Sequence, residues 1–329
     1  MIEFREFVEK SNEIVITTHF SPDGDAIGSS VFLFHILQNM AKRATIVLPD
    51  SPPSFLNSFL ENVDHHIFET NPEHCVNIIL KADLIIHLDF NAINRLGKDM
   101  SKVFEGLDKT QIMIDHHPNP TFNCDLTISR PEVSSTCELI FSVLEKNQLL
   151  DFVCKKAAKS CYLGMMTDTG SFRFPSVTSD THRVIEFLLK MNINHFEIHE
   201  KIYDSNTINR LKLRGYAISE KLELIHSLPI GIIMLDKNEL IRFSYEKGDT
   251  EGLVNTILSI QGVEMAIFMM EKENEIKMSF RSKGEYYVND FAKKYFDGGG
   301  HKYAAGGVSR VNLDDTLIFL KKSILDYYG

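Results

Sequence analysis

The stretch Thr110-Gln111-Ile112-Met113-Ile114-Asp115-His116-His117-Pro118 runs apolar from Ile112 to Ile114, then breaks into a carboxylate and two imidazoles before a proline. A run this short and this sharply bounded reads as a buried strand that delivers polar groups at its C-terminal tip. In an open parallel sheet the crevice beyond such tips is where ligands bind. Three other runs end the same way. Glu13 to Thr18 leads into His19-Phe20-Ser21-Pro22-Asp23-Gly24-Asp25, and Leu84 to Leu88 leads into Asp89. A largely helical stretch, Leu139 to Gly164, leads into Met166-Thr167-Asp168-Thr169-Gly170.

Working outward, Thr45 to Leu48 adds a strand closed by Pro49, and helical patterns such as Ala26 to Met40 fill the gaps. This βαβ series predicts an α/β fold, with a mostly parallel sheet and flanking helices over residues 1–194. Ile208, Leu211, Ile218, Leu222 and Ile225 predict one apolar stripe on a long helix packed against its own protein. That helix lies in a helical connector over 195–227. A smaller α/β domain with a mixed sheet is expected over 228–329. Its strands are Ile230 to Leu235, Glu264 to Met270 and Glu275 to Phe280, the last two joined by a polar turn at Glu271-Lys272-Glu273-Asn274. A short helix over Asp290 to Phe296 and a final one from Asp314 to Tyr328 complete it.

A chain of 329 residues with 43% hydrophobic and 24% charged content suits two soluble globular domains. No apolar run approaches the ~20 residues of a membrane span, and residues 1–10 carry no secretory leader pattern. Five cysteines, an odd number with no CxxC pair, imply reduced thiols in the cytoplasm. A net charge of −10 argues against a grip on long nucleic acid, long duplex DNA included. A nucleic-acid role would then need a local basic pocket and a small ligand.

His19, Asp23, Asp25, Asp89, His116 and Asp168 are six candidate ligands on four segments, all expected at one edge. Singly, each has a plain explanation: an Asp after a strand caps a helix, and Ser21-Pro22-Asp23-Gly24 makes a good turn. Together they describe a metal centre. Asp23 and Asp25 can point to neighbouring positions from a tight turn, which suits two ions side by side with a carboxylate from elsewhere bridging them. A pair of ions ~3.5–4 Å apart is the usual device for in-line attack on phosphorus. Four carboxylates, two imidazoles and no thiolate favour Mn²⁺ or Mg²⁺. His117 diverges from its neighbour and suits proton or hydrogen-bond donation to a phosphoryl oxygen. Arg281-Ser282-Lys283 at a strand end, with Gly298-Gly299-Gly300-His301 before a helical turn, reads as an anion cradle. A second triplet, Asp64-His65-His66, follows a broken sequence that reads as a short helix or loop and is assigned no role.

These residues closely resemble the DHH phosphoesterase superfamily, in the branch with a DHH-associated C-terminal domain. The matching motifs are HFSPDGDAIGSS (19–30), HLDFN (87–91), IDHHP (114–118), TDTGSFRF (167–174), FRSKG (280–284) and DGGGHKYAAGG (297–307). Within it the chain is most similar to the nanoRNase A group, bacterial oligoribonucleases that also act on 3′-phosphoadenosine-5′-phosphate (pAp). The resemblance implies that His19, Asp23 and Asp89 hold one Mn²⁺ and that Asp25, Asp89, His116 and Asp168 hold the other, with Mg²⁺ or Co²⁺ as substitutes. It gives Asp115 an orienting role and puts His117 on the scissile phosphate. It places Arg281, Ser282, Gly299, Gly300 and His301 on the rest of the nucleotide, with Arg95 and Arg173 as further phosphate contacts. Implied substrates are pAp and RNA of about two to five nucleotides, in a cleft between domains, and a homodimer is allowed. Phe90 and Asn91 depart from the small residue common after the bridging aspartate. The rival enzyme reading is a cyclic or linear dinucleotide phosphodiesterase; the non-enzyme rival is a nucleotide-binding sensor with a decayed metal site.

Overall fold

The computed structural model describes residues 3–225, 227–273 and 275–329. It divides into two compact units, Met1–Ser205 and Asn206–Gly329. The expected connector does not stand apart: residues up to Ser205 belong to the first unit and the rest to the second.

The first unit holds six strands: β1 (Glu13–Thr17), β2 (Arg43–Leu48), β3 (His65–Ile67), β4 (Leu84–Leu88), β5 (Thr110–Asp115) and β6 (Leu126–Ser129). All pair in parallel, in the order β3-β2-β1-β4-β5-β6. Its helices are α1 (Glu3–Lys10), α2 (Gly24–Asn39), α3 (Pro72–Lys81), α4 (Thr136–Lys146), α5 (Lys155–Asp168), α6 (Ser179–Lys190) and α7 (His195–His199). The central strands are mostly apolar because both faces are covered. Ile14, Ile16, Ile86 and Ile114 join α2, α4 and α5 in one core, while Val15, Val47 and Ile85 join α3 in another.

α2 is buried on every side over residues 24–37. It is wedged between the sheet and α5, and the two helices touch at glycines. A Cβ on Gly28 would lie 2.8 Å from the backbone of Gly164, and one on Gly164 would lie 2.5 Å from Asp25 Oδ1. Such distances leave room only for glycine, so backbone contact here fixes the start of α2 against the end of α5.

The broken sequence ahead of the second triplet is a short 3₁₀ helix, Ser54–Phe59, as read, and His65 and His66 themselves lie in the short strand β3. β3 is an edge strand two places from β1, so the triplet stays away from the central tips. Asp64 accepts from Thr45 Oγ1, and His66 packs on His74. The helical stretch before Asp168 is two helices, and Asp168 ends the second.

The second unit contains α8 (Ile208–Glu220), β7 (Leu222–Ile225), β8 (Ile230–Leu235), α9 (Lys237–Arg242), α10 (Leu253–Leu258), β9 (Met265–Glu271) and β10 (Ile276–Ser282). α11 (Val288–Tyr295), β11 (Gly299–His301), β12 (Ala304–Ser309) and α12 (Leu313–Tyr328) follow. The sheet order is β11-β12-β10-β9-β8-β7; β8 and β9 run parallel and the other pairs antiparallel, giving the mixed sheet. Asn274, in the expected polar turn, lies outside the described residues.

The long-helix stripe does not form. The helix stops at Glu220, and Leu222–Ile225 pairs with β8 as an edge strand. Ile208 and Leu211 are 64% and 52% exposed; Leu213 and Ala217 make the packed face instead. The glycine cradle also differs from a loop leading into a helical turn. Gly299–His301 is a strand, joined to β12 by the two residues Lys302 and Tyr303.

Candidate active site

The parallel sheet reverses its winding between β1 and β4, and such a switch point opens a crevice at the carboxyl ends of the strands. Register puts three side chains in one row there. Thr17 pairs with His87, and Leu88 pairs with Ile114. His19, Asp89 and Asp115 therefore stand level on neighbouring strands ~4.8 Å apart. Asp89 is held at φ +67°, in the left-handed region, with its N–H on the Ile114 carbonyl. That conformation costs a non-glycine residue ~1–3 kcal/mol, a strain that recurs at functional sites.

Each histidine is aimed by a backbone carbonyl. His19 donates Nδ1–H to Phe20 O at 2.9 Å, leaving Nε2 3.5 Å from Asp89 Oδ2 and 3.9 Å from Asp23 Oδ2. His116 donates Nδ1–H to Val133 O at 3.2 Å. Its Nε2 then lies 3.2 Å from Asp168 Oδ2 and 3.6 Å from Asp89 Oδ1. A carbonyl on Nδ1 fixes the tautomer that offers Nε2 to a metal.

Asp23 fills the capping role read from the sequence. Its Oδ1 caps α2 by accepting from the N–H groups of Asp25 and Ala26, and Oδ2 remains on the His19 side. Asp25, in the first turn of α2, is held by the start of α4: Thr136 N–H reaches Oδ2 at 2.6 Å and Cys137 N–H reaches Oδ1 at 3.1 Å. The Thr136 hydroxyl meanwhile donates to Asp89 Oδ1 at 2.8 Å.

Two of the groups of ligand atoms that lie within 4.8 Å of one another are His19, Asp23 and Asp89, and Asp25, His116 and Asp168. Asp89 faces a histidine of each. Asp115, fully buried, accepts Nδ1–H of His117 at 2.7 Å.

The electrostatics suit added positive charge. Burial, then the charges of Asp25 and Asp23, push Asp89 well above the usual carboxylate range, and burial raises Asp25. Burial would lower His116, but Asp168, Asp89, Asp25 and Asp115 together lift it to about 9. Burial, followed by His116 and Arg95, depresses His117 far below an ordinary imidazole. A cluster that draws protons onto Asp89, Asp25 and His116 is compensated equally well by divalent cations. Its oxygen and imidazole donors fit a hard pair such as Mn²⁺ or Mg²⁺.

Thr136 and Cys137 were not found by sequence reasoning. The available signal was Ser135-Thr136-Cys137-Glu138, a capping-box pattern that starts a helix there; Ser135 Oγ does accept Glu138 N–H. In the second unit, Arg281 and His301 lie opposite Ala304 from its two sides. Ser282 N–H bonds Tyr303 O, and its buried hydroxyl meets no partner among the described residues. Arg173 is exposed, with Nε on Gly170 O.

A family model described as the DHH family, N-terminal domain, matches residues 13–165, and a DHHA1 domain matches 234–324. The bifunctional oligoribonuclease and PAP phosphatase NrnA of Bacillus subtilis is 30% identical over 89% of this chain and 88% of its own. A solved exopolyphosphatase-related protein from Bacteroides fragilis superposes with a TM-score of 0.92 at 36% identity, covering 99% of this chain and 95% of its own. RecJ from Thermus thermophilus in complex with Mn²⁺ shares the fold at a TM-score of 0.55 and 13% identity, over 98% of this chain and 53% of its own.

Proposed function

The chain belongs to the DHH family of phosphoesterases, with a DHHA1 domain behind its DHH domain, and from that premise we propose that it trims RNA of about two to five nucleotides to nucleoside monophosphates and dephosphorylates pAp to AMP. The observation that carries this reading is Asp89, which faces His19 at 3.5 Å and His116 at 3.6 Å and so can serve two ions at once. His19, Asp23 and Asp89 would hold one Mn²⁺; Asp25, Asp89, His116 and Asp168 would hold the other. When bound, such a pair supplies Lewis-acid stabilisation of the charge that develops on the phosphoryl oxygens.

The remaining groups position and protect. Asp115 fixes the His117 ring, whose Nε2 is directed to the phosphate. An arriving phosphate adds the negative charge that favours the protonated ring, which then donates to a phosphoryl oxygen. Buried walls around Asp25, Asp89 and Asp115 keep these bonds out of competing water. Arg281, Ser282, Gly299, Gly300 and His301 bind the rest of the nucleotide, and the unpartnered Ser282 hydroxyl supports a ligand there. Five free cysteines accord with work in the cytoplasm, and no helix among the described residues is long and apolar enough to cross a membrane.

Purified protein with Mn²⁺ should hydrolyse pAp and RNA of two to five nucleotides while leaving a 24-nucleotide RNA largely intact. Activity confined to cyclic dinucleotides, or greatest on the long RNA, would replace this reading.

A further inference from the structure

Phe20 separates His19 from the turn that carries Asp23, and its ring is 49% exposed. A lone exposed phenylalanine is ordinary on a protein surface. Three features set this one apart. First, its backbone is pinned twice: its carbonyl accepts His19 Nδ1–H at 2.9 Å, and its N–H donates to Arg95 O at 2.6 Å. Second, the ring lies over Gly97, which sits at φ +82°; a Cβ there would come within 3.0 Å of Phe20 Cδ2. One face of the ring therefore rests on bare backbone while much of the side chain stays open to solvent. Third, Arg95 comes with it. Its half-buried guanidinium makes no hydrogen bond or ion pair with a described residue.

A rigid aromatic ring joined through one backbone hydrogen bond to an unpaired arginine matches the two halves of a nucleotide. Aromatic faces stack bases of any identity, and a guanidinium takes a phosphate in a forked pair. We propose that Phe20 is the stacking platform for the nucleobase next to the reacting phosphate, beside the phosphate contact that the family resemblance implies for Arg95. This rests on the reading of the substrate as a nucleotide. It adds a base-contacting residue, in the first unit, to a site otherwise described by metal ligands and phosphate donors. Stacking of this kind is indifferent to sequence, as suits an enzyme that clears mixed RNA fragments.

The test is equilibrium binding of AMP and of ribose 5-phosphate to the Mn²⁺-loaded full chain, by calorimetry. Wild type should bind AMP about ten- to hundredfold more tightly than ribose 5-phosphate. Phe20→Ala should erase that preference by weakening AMP alone, Phe20→Trp should keep it, and Arg95→Ala should weaken both ligands alike. A preference that survives in Phe20→Ala, an equal loss of both ligands there, or no preference in wild type would each overturn the proposal. Failure of the wider reading looks different: the base preference would persist while pAp and short RNA go unhydrolysed.

Discussion

The Thr136 hydroxyl donates to Asp89 Oδ1 across 2.8 Å, tying the first turn of α4 to the carboxylate that faces both histidines. The same residue's N–H holds Asp25, so one buried threonine sets two carboxylates that belong to different halves of the cluster. Thr136→Val keeps the shape and the N–H but loses the hydroxyl. It should weaken Mn²⁺ binding about 10- to 100-fold with an unchanged fold, and Thr136→Ser should restore most of it. A Mn²⁺ titration of the three proteins decides this; an unchanged affinity in Thr136→Val would remove the threonine from the account.

Gly164 should tolerate no side chain. Its Cβ would meet Cys137 Sγ at 2.3 Å and Asp25 Oδ1 at 2.5 Å. Gly164→Ala is expected to cost about 1–3 kcal/mol through overpacking, and to weaken Mn²⁺ binding by pushing Asp25 aside. Urea melts with and without Mn²⁺ measure both effects.

The two Asp-His-His triplets should separate cleanly. His65→Ala with His66→Ala should leave turnover within a few-fold, since β3 is an edge strand remote from the β1 and β4 tips. His117→Ala should remove nearly all turnover while retaining Mn²⁺. Steady-state rates on pAp provide the comparison.

These triplets also show what the sequence made legible. The strands that carry the site, β1, β4 and β5, were evident because each is a short, mostly apolar run with a polar end, as a strand covered on both faces shows. Short edge strands were not: His65–Ile67 and Leu222–Ile225 are held by pairing to β2 and β8, a non-local cause that local pattern does not record. For the same reason the stripe through Ile208 to Ile225 looked helical to its end. Individual metal-ligand candidates could be named from their places at element ends. Thr136 could not, because its importance comes from α4 meeting α2 and the Asp89 turn, residues 111 and 47 positions away.

His87 should make the protein acid-sensitive for a reason unconnected with metal. Its ring is enclosed by Phe90, Phe104 and Phe122, with Nε2–H on Gln111 Oε1, and burial lowers it to about 4. Unfolded, it would protonate near 6.5. Between those values the unfolded chain binds a proton that the folded one refuses, so stability falls as pH drops from 6.5 to about 4. The loss is on the order of 3 kcal/mol. His87→Gln should flatten that part of the curve in metal-free urea melts at pH 7 and 4.5; an equal slope in both proteins would contradict the assignment.

The central claim is that Asp89 serves two metal ions, and metal stoichiometry tests it most directly. Equilibrium dialysis against a fixed free Mn²⁺ concentration, followed by elemental analysis, should find two Mn²⁺ per wild-type chain and almost none in Asp89→Ala, with both proteins folded. Wild-type binding of a single ion, or an Asp89→Ala chain that still carries its full complement, would contradict it.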